Sequence, residues 1–193
     1  MKLLENHRIL AGIGILTTAD IKRYLGLSDF ALRKLIWRYQ KHGVLVKLRN
    51  GLYTVKCEGE PGSFLLANKL YQPSYLSFET ALSYYSVIPE TVYTIVSATT
   101  RITRTFNSLG RDFSYRKIKK QAYGGYRVIK TGGAAVLIAE PEKALADQLY
   151  FIFLRKAGMF DRINMKKLRR SLVWKYIRQF QNDKFIKWSK SAF

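Results

Sequence analysis

The clearest pattern of apolar and polar positions along the chain lies between Ser28 and Gly43. Apolar residues recur there at spacings of three and four positions, namely at Leu32, Leu35, Ile36 and Tyr39. This spacing predicts a helix with one buried face, because it brings the four side chains to one side of a 3.6-residue turn. Ser28 can cap the start of this helix, and Gly43 can end it.

A shorter helix is predicted just before this one, from a cap at Thr17 or Thr18 to an end at Gly26. Its apolar positions share one face: Ile21, Tyr24 and Leu25. After the longer helix, two apolar runs flank Asn50-Gly51. This dipeptide favours a hairpin with a type I′ turn, which needs positive φ at both central residues. The order of helix, turn, helix and hairpin predicts a winged helix-turn-helix over residues 1–57.

The exposed side of the longer helix is cationic. Five residues lie there within an arc of about 140°: Arg33, Lys34, Trp37, Arg38 and Lys41. No carboxylate occurs from residue 30 to residue 56, and Trp37 has no packing role on an exposed face. Lysine and arginine neutralise phosphates, and arginine can pair with guanine in the major groove. We therefore interpret this helix as a DNA recognition helix rather than as a solvated charged face.

The tip of the predicted hairpin is also basic. Lys47 and Arg49 suit a phosphate or minor-groove contact, although a hairpin with two basic residues could equally be a solubilised sheet edge. The candidate contacts to DNA are Thr18, Ser28, Arg33, Lys34, Trp37, Arg38, Lys41, Lys47, Arg49 and Asn50.

Residues 58–63, with two glycines and one proline, are predicted to be a linker. Beyond them, helices are predicted at 64–71 and 78–85, the second capped by Ser77. Strands are predicted at 91–98, 101–106, 113–118, 126–130 and 134–139, and the last is apolar enough to be central. Pro141 suits the first position of a further helix, with Glu142 in its first turn. Residues 64–193 are therefore expected to form a mixed α/β domain with a small sheet and flanking helices, so that the whole chain is α+β.

Two more helices are predicted within residues 164–190, and their polar side is crowded with cations. This second basic surface consists of Arg162, Lys166, Lys167, Arg169, Arg170, Lys175 and Arg178. A basic helix can lie on nucleic acid or on an anionic membrane. The membrane is the less favoured partner, because aromatic residues as frequent as those of this chain are more often core.

The charge of the chain supports a polyanionic partner. The 193 residues include 34 Lys+Arg and 13 Asp+Glu, a formal net charge of +21, of which +8 lies in residues 1–57 and +8 in residues 161–193. With 48% hydrophobic residues the chain has enough material for a core, which argues against a disordered basic tail. No run approaches the roughly 18 apolar residues of a membrane span, and residues 1–10 are too polar for a signal peptide. We expect a cytoplasmic protein that does not bind membranes.

Motifs for catalysis are absent from the sequence. It has no phosphate-binding glycine loop, no dinucleotide-binding glycine motif and no nucleophile elbow. Its single cysteine, Cys57, cannot complete a zinc site with only His7 and His42. We therefore expect no metal, no cofactor and no enzymatic activity.

One enzymatic alternative stays open, a metal-dependent nuclease, because such an enzyme needs only carboxylates and a lysine around a cation. Asp112 on one strand and Glu140 or Glu142 after another could supply the carboxylates. The usual spacing would place an acidic residue two positions before Lys143, but that residue is Pro141.

Four segments carry a resemblance to a known family: KHGVLVKLRNGLY at 41–53, SFETALSYYSVIP at 77–89, the Gly125-Tyr126 pair and IAEPEKALAD at 138–147. In their order and spacing they resemble the AbiEi antitoxins of type IV toxin–antitoxin systems, which act in abortive infection. The resemblance covers most of residues 10–155. The residues that carry the motif of the antitoxin domain are Ser77, Glu79, Glu142, Lys143 and Asp147.

The resemblance implies a bifunctional, non-enzymatic protein. Its N-terminal domain would bind inverted repeats in its own promoter and repress the operon. Its C-terminal domain would counter a nucleotidyltransferase toxin, directly or indirectly, in a system that limits phage spread. A DNA-binding regulator without antitoxin activity is the alternative.

Overall fold

The structure, a computed structural model, describes residues 10, 14–56, 61–160 and 162–192. His7, Cys57 and residues 58–60 of the predicted linker lie outside the described residues. The chain divides into two compact units, Met1–Leu70 and Tyr71–Phe193. The helix predicted at 64–71 therefore falls in the first unit, not in the second. Helices and two separate sheets make the described chain α+β, as expected.

Residues 14–56 and 61–70 of the first unit form three strands and three helices. They are β1 (Ile15–Thr17), α1 (Thr18–Leu25), α2 (Asp29–Lys41), β2 (Leu45–Arg49), β3 (Leu52–Val55) and α3 (Ser63–Leu70). The strands form an antiparallel sheet in the order β1-β3-β2. The sequence did not predict β1, because three residues are too few to show a period.

The starts of α1 and α2 follow the predicted capping. The Thr17 hydroxyl accepts a hydrogen bond from the Asp20 backbone N–H (3.1 Å), and the Asp20 carboxylate accepts one from the Thr17 N–H (2.9 Å), which completes a capping box. Gly26 ends α1 with a φ of 60°. The Ser28 hydroxyl accepts a hydrogen bond from the Ala31 N–H (3.3 Å) at the start of α2. Both helices therefore begin where the sequence places them.

The apolar face of α2 is confirmed. Its four predicted residues are buried and belong to a core that also contains Leu16, Ile21 and Leu45. Tyr24, on the apolar side of α1, does not belong to this core: it is 49% exposed, and the Arg23 guanidinium lies 5.1 Å from its ring centroid. An eight-residue helix covers little of the core, so only Ile21 of its apolar face is buried.

The hairpin forms, but its turn is not type I′. Gly51 has a φ of 75°, whereas Asn50 is not among the residues with positive φ. The register of β2 against β3 shifts between Lys47 and Arg49, which leaves Leu48 as an extra residue. This bulge supplies local twist, so the turn needs only one left-handed residue.

The second unit contains six strands and four α-helices in its described residues. They are β4 (Ser74–Leu76), α4 (Phe78–Tyr84), β5 (Ile95–Thr99), β6 (Arg104–Ser108), β7 (Arg111–Lys117), β8 (Tyr126–Thr131), β9 (Ala134–Ala139), α5 (Pro141–Phe153), α6 (Arg170–Gln179) and α7 (Asp183–Ala192). The strands form one mixed sheet in the order β6-β7-β5-β4-β9-β8. As predicted, β9 is an inner strand.

The short strand β4 organises the sheet although the sequence did not predict it. It pairs antiparallel with β5 and parallel with β9, so it joins the two halves of the sheet. Its three residues are all buried. Two strands begin later in the chain than predicted. The strand predicted at 91–98 is β5, which begins at Ile95, and the strand predicted at 101–106 is β6, which begins at Arg104.

The helices of the second unit pack through aromatic and aliphatic side chains. Ten consecutive residues of α5, from Glu142 to Phe151, are buried. Tyr150 stacks on Phe180 at a centroid distance of 4.3 Å, and Phe185 lies against both rings. Within the described residues no helix combines the length and apolar character needed to cross a bilayer.

Candidate nucleic-acid interface and buried motif cluster

The predicted contact face of α2 is exposed throughout. Arg33, Lys34, Trp37, Arg38 and Lys41 all face solvent, and 65% of the Trp37 surface is accessible. Lys41 Nζ lies 5.2 Å from the centroid of the Trp37 ring. The face therefore presents cations around one large aromatic side chain, as the pattern predicted.

One exposed aromatic residue of this face was missed. Phe30 is 63% exposed, and Lys34 Nζ lies 4.6 Å from its ring centroid. Its position seven residues before Trp37 was the available signal, because a spacing of seven returns to the same side of a helix. An apolar cavity of about 580 Å³ runs beside this face and is lined by Leu27, Ala31, Lys34, Leu35, Trp37 and Arg38.

The other predicted DNA contacts differ in how available they are. Lys47 and Asn50 are exposed on the hairpin. Arg49 is occupied: its Nε donates to the Leu70 carbonyl (2.6 Å), and its Nη1 donates to the Asn50 carbonyl (2.8 Å). Ser28 is exposed but caps α2, and Thr18 is half-buried. Lys47 and Asn50 are thus the more accessible candidates of the hairpin.

The second basic surface is exposed at all seven predicted positions. Arg169 also donates through Nε to Glu142 Oε1 (3.1 Å), and Lys167 donates to the Tyr85 carbonyl (3.2 Å). A cavity of about 380 Å³ lies here, lined by Arg127, Glu140, Pro141, Glu142, Lys166, Lys167, Leu168 and Arg169.

Three of the five motif residues of the predicted antitoxin domain meet in a buried cluster. Asp147 accepts hydrogen bonds from Ser77 Oγ (2.7 Å), Tyr75 OH (3.2 Å) and Lys143 Nζ (2.5 Å). Neither Lys143 nor Asp147 has any exposed side-chain surface. Burial raises the pKa of Asp147 above its usual range, and the Lys143 ammonium opposes this effect. Burial also raises the pKa of Tyr75 well above its ordinary value.

This arrangement corrects the role predicted for Ser77. Its backbone occupies the N-cap position of α4, but its side chain makes no capping hydrogen bond. The hydroxyl donates instead to the carboxylate seventy residues later. A hydrogen bond from a hydroxyl to a buried carboxylate is strong, because the acceptor is charged and shielded from water.

The remaining motif residues, Glu79 and Glu142, hold nearby elements together. Glu79 accepts two hydrogen bonds from Arg116 Nη1, both 3.0 Å long. Glu142 lies in the first turn of α5, as predicted, but it is buried and accepts the Arg169 backbone N–H (3.2 Å). Glu140, just before α5, accepts a hydrogen bond from Tyr176 OH (2.7 Å). Burial, and then this hydrogen bond, raise the pKa of Tyr176.

Gly125 fits tightly beside this cluster. It has a φ of 69°, and a Cβ atom there would lie 2.5 Å from the Tyr176 ring and 3.1 Å from Lys143 Cγ. Its carbonyl accepts a hydrogen bond from the Glu140 N–H (2.9 Å). Both the backbone conformation and the space require glycine at this position.

The carboxylates considered for a nuclease do not come together in the described part of the chain. Asp112 lies on β7 and accepts a hydrogen bond from Asn107 across the hairpin (2.8 Å). Two strands, β5 and β4, separate β7 from β9, which precedes Glu140. Among the described residues no three His, Cys, Asp or Glu side chains are grouped so that they could hold a metal ion.

No protein-family model matches the chain. No curated protein matches it with significant similarity.

Proposed function

We propose that the first unit is a winged helix-turn-helix that binds double-stranded DNA and represses the operon of the protein by binding inverted repeats in its promoter. The observation that carries this proposal is the exposed cationic face of α2, opposite its buried apolar face. Such a face suits the major groove, where cations neutralise phosphates and reach base edges.

The order of the elements also supports a winged helix. α1 and α2 are joined by the short turn Gly26-Leu27-Ser28, and the hairpin of β2 and β3 follows and pairs with β1. In such a unit α2 is the recognition helix, and the hairpin is the wing that reaches the backbone of the duplex. Exposed Lys47 and Asn50 suit this role.

A gel-shift titration of the full chain on its own upstream region tests the proposal. Arg33→Ala combined with Arg38→Ala should weaken site-specific binding about tenfold or more, because both cations leave the contact face. The matched control is Lys120→Ala with Lys130→Ala, which removes the same charge from exposed positions of the second unit. Equal affinities of the two double variants would contradict the assignment of α2 as the contact helix.

We further propose that the second unit counters a nucleotidyltransferase toxin, as the resemblance to AbiEi antitoxins implies. Three of the residues behind that resemblance, Ser77, Lys143 and Asp147, belong to the buried cluster. In this proposal the motif stabilises the domain, while an exposed surface acts on the toxin or on its substrate. The candidate for that surface is the second basic surface, whose seven cations are all exposed. Both functions would be exercised in the cytoplasm, where the operon and the toxin reside.

Co-expression with the neighbouring open reading frame tests the antitoxin function. The full chain should restore growth when that frame encodes a nucleotidyltransferase that arrests it. Arg33→Ala with Arg38→Ala should still restore growth when expression is driven from an unrelated promoter, because only DNA binding is impaired. If the full chain fails to restore growth while it still binds the upstream DNA, the protein is a regulator without antitoxin activity.

A further inference from the structure

A single stripe of alternating aromatic and cationic side chains occupies the centre of the exposed face of α2. It consists of Phe30, Lys34, Trp37 and Lys41, all of which are exposed. At about 100° per residue these four positions fall within an arc of about 60°, and the middle of that arc lies opposite the buried face. The stripe is therefore the part of α2 that lies farthest from the core of its unit.

Neither aromatic residue of the stripe is explained by packing. Phe30 and Trp37 are 63% and 65% exposed, and each ring has the ammonium group of a stripe lysine over it. A cation over an aromatic face stabilises the orientation of the ring. The two rings are thus presented to solvent as apolar surfaces within a cationic field.

Two arginines flank the stripe at about equal angles. Arg33 and Arg38 lie about 70° from its centre, one on each side. When a helix enters the major groove, its outermost face meets the base edges on the floor, while its flanks face the sugar–phosphate walls. The stripe would therefore meet bases, and the arginines would meet phosphates.

We infer that Phe30 and Trp37 determine sequence specificity by contacting thymine methyl groups on the floor of the major groove, while Arg33 and Arg38 bind the phosphates on its walls. This inference rests on the proposed DNA binding. The thymine methyl is the apolar group that the major groove displays, and an aromatic ring is an apolar partner for it. Seven residues of helix span about 10 Å, which corresponds to about three base-pair steps. Each half-site should therefore contain two methyl-dependent thymines about three base pairs apart.

The charge around the stripe favours DNA over a protein as its partner. Residues 30–56 contain seven Lys and Arg and no Asp or Glu. An apolar protein surface that covered the rings would leave the lysines of the stripe without partners, whereas a duplex supplies methyl groups and phosphates together.

Replacing thymine by deoxyuridine tests the inference, because this change removes only the methyl group. The full chain is titrated against a labelled duplex of its footprinted upstream site, and then against duplexes in which one thymine at a time is replaced. At two positions about three base pairs apart we expect binding about fourfold weaker per methyl group. Trp37→Ala should abolish this sensitivity at one position, and Phe30→Ala should abolish it at the other.

The matched control is Tyr24→Ala, which removes an exposed ring that also has a cation over it but lies on α1. This variant should keep both methyl-sensitive positions. Arg33→Ala should lower the salt slope by about one unit and leave the methyl sensitivity intact.

Site-specific binding that is indifferent to every deoxyuridine replacement would overturn this inference and leave the proposed DNA binding intact. A chain that binds no DNA would overturn both. The measurement on the unaltered protein needs no variant to fold.

Discussion

Lys143 and Asp147 form an ion pair from which water is excluded. Their Nζ and Oδ1 atoms are 2.5 Å apart, and neither side chain has any exposed surface. The two residues lie one helical turn apart on α5, but the hydroxyls of Ser77 and Tyr75 come from the region of β4, seventy or more residues earlier. Through the hydrogen bonds that Tyr75 and Ser77 donate to Asp147, the pair connects α5 to the middle of the sheet.

Asp147→Ala should lower the free energy of unfolding by about 3–5 kcal/mol, because it leaves the Lys143 ammonium buried without a counter-charge. Urea denaturation of the full chain, followed by tryptophan fluorescence, measures this loss. Replacing both partners, Lys143→Met with Asp147→Leu, should recover most of it, since no buried charge remains. A loss below about 1 kcal/mol for Asp147→Ala alone would contradict this account of the pair.

Gly125→Ala should destabilise the second unit by about 2–4 kcal/mol, because backbone strain and a steric conflict act together. Its new Cβ would lie 2.5 Å from the Tyr176 ring. Gly133→Ala is the matched control: Gly133 also has a positive φ, of 76°, but nothing lies within 4 Å of its Cβ position. The control should cost only about 1–2 kcal/mol. Equal losses in thermal unfolding would show that the space beside Tyr176 is not limiting.

The capping box of α1 predicts a dependence of stability on pH. The hydroxyl and backbone N–H of Thr17 donate to Asp20 and hold the pKa of that carboxyl below its ordinary value of 3.8. The folded state therefore favours the ionised form of Asp20. The contribution of this carboxylate to stability is complete above pH 3.8, its pKa in the unfolded chain, and is lost as the pH falls through its lower pKa in the folded chain.

Asp20→Ala measures this contribution. Near pH 7 the variant should be about 1 kcal/mol less stable than the unaltered chain, which is typical of a lost cap. The difference should shrink as the pH falls below 3.8. Denaturation curves at a series of pH values provide the test, and a difference that does not change with pH would be inconsistent with an ionised cap.

The second basic surface predicts the ionic-strength dependence of DNA binding. If Lys175 and Arg178, which are exposed on α6, contact the same duplex as α2, then replacing both by alanine should lower the salt slope by about two units. The slope is measured by titrating the upstream duplex at several salt concentrations. An unchanged slope would show that these cations serve another partner, such as RNA or the substrate of the toxin.

Several features of the chain follow from the sequence alone. The bounds and the buried face of α2, the caps at Thr17 and Ser28, and the start of α5 at Pro141 were all predictable, because each depends on residues within about four positions of one another. The cationic exposed face of α2 follows from the same periodicity. Phe30 could have been added to it from its spacing to Trp37.

Tertiary structure alone decides the rest. By sequence, the Ser77 hydroxyl was expected to accept a backbone N–H at the start of α4, and only the approach of α5 to β4 supplies the distant carboxylate to which it donates. Arg49 was available for DNA by sequence, but the end of α3 supplies the Leu70 carbonyl that engages it. The three residues of β4 show no periodicity, and their position in the sheet comes from pairing with two distant strands. Local spacing determines helices and their faces, whereas a polar side chain takes whichever partner the assembled fold brings within hydrogen-bond distance and shields from water.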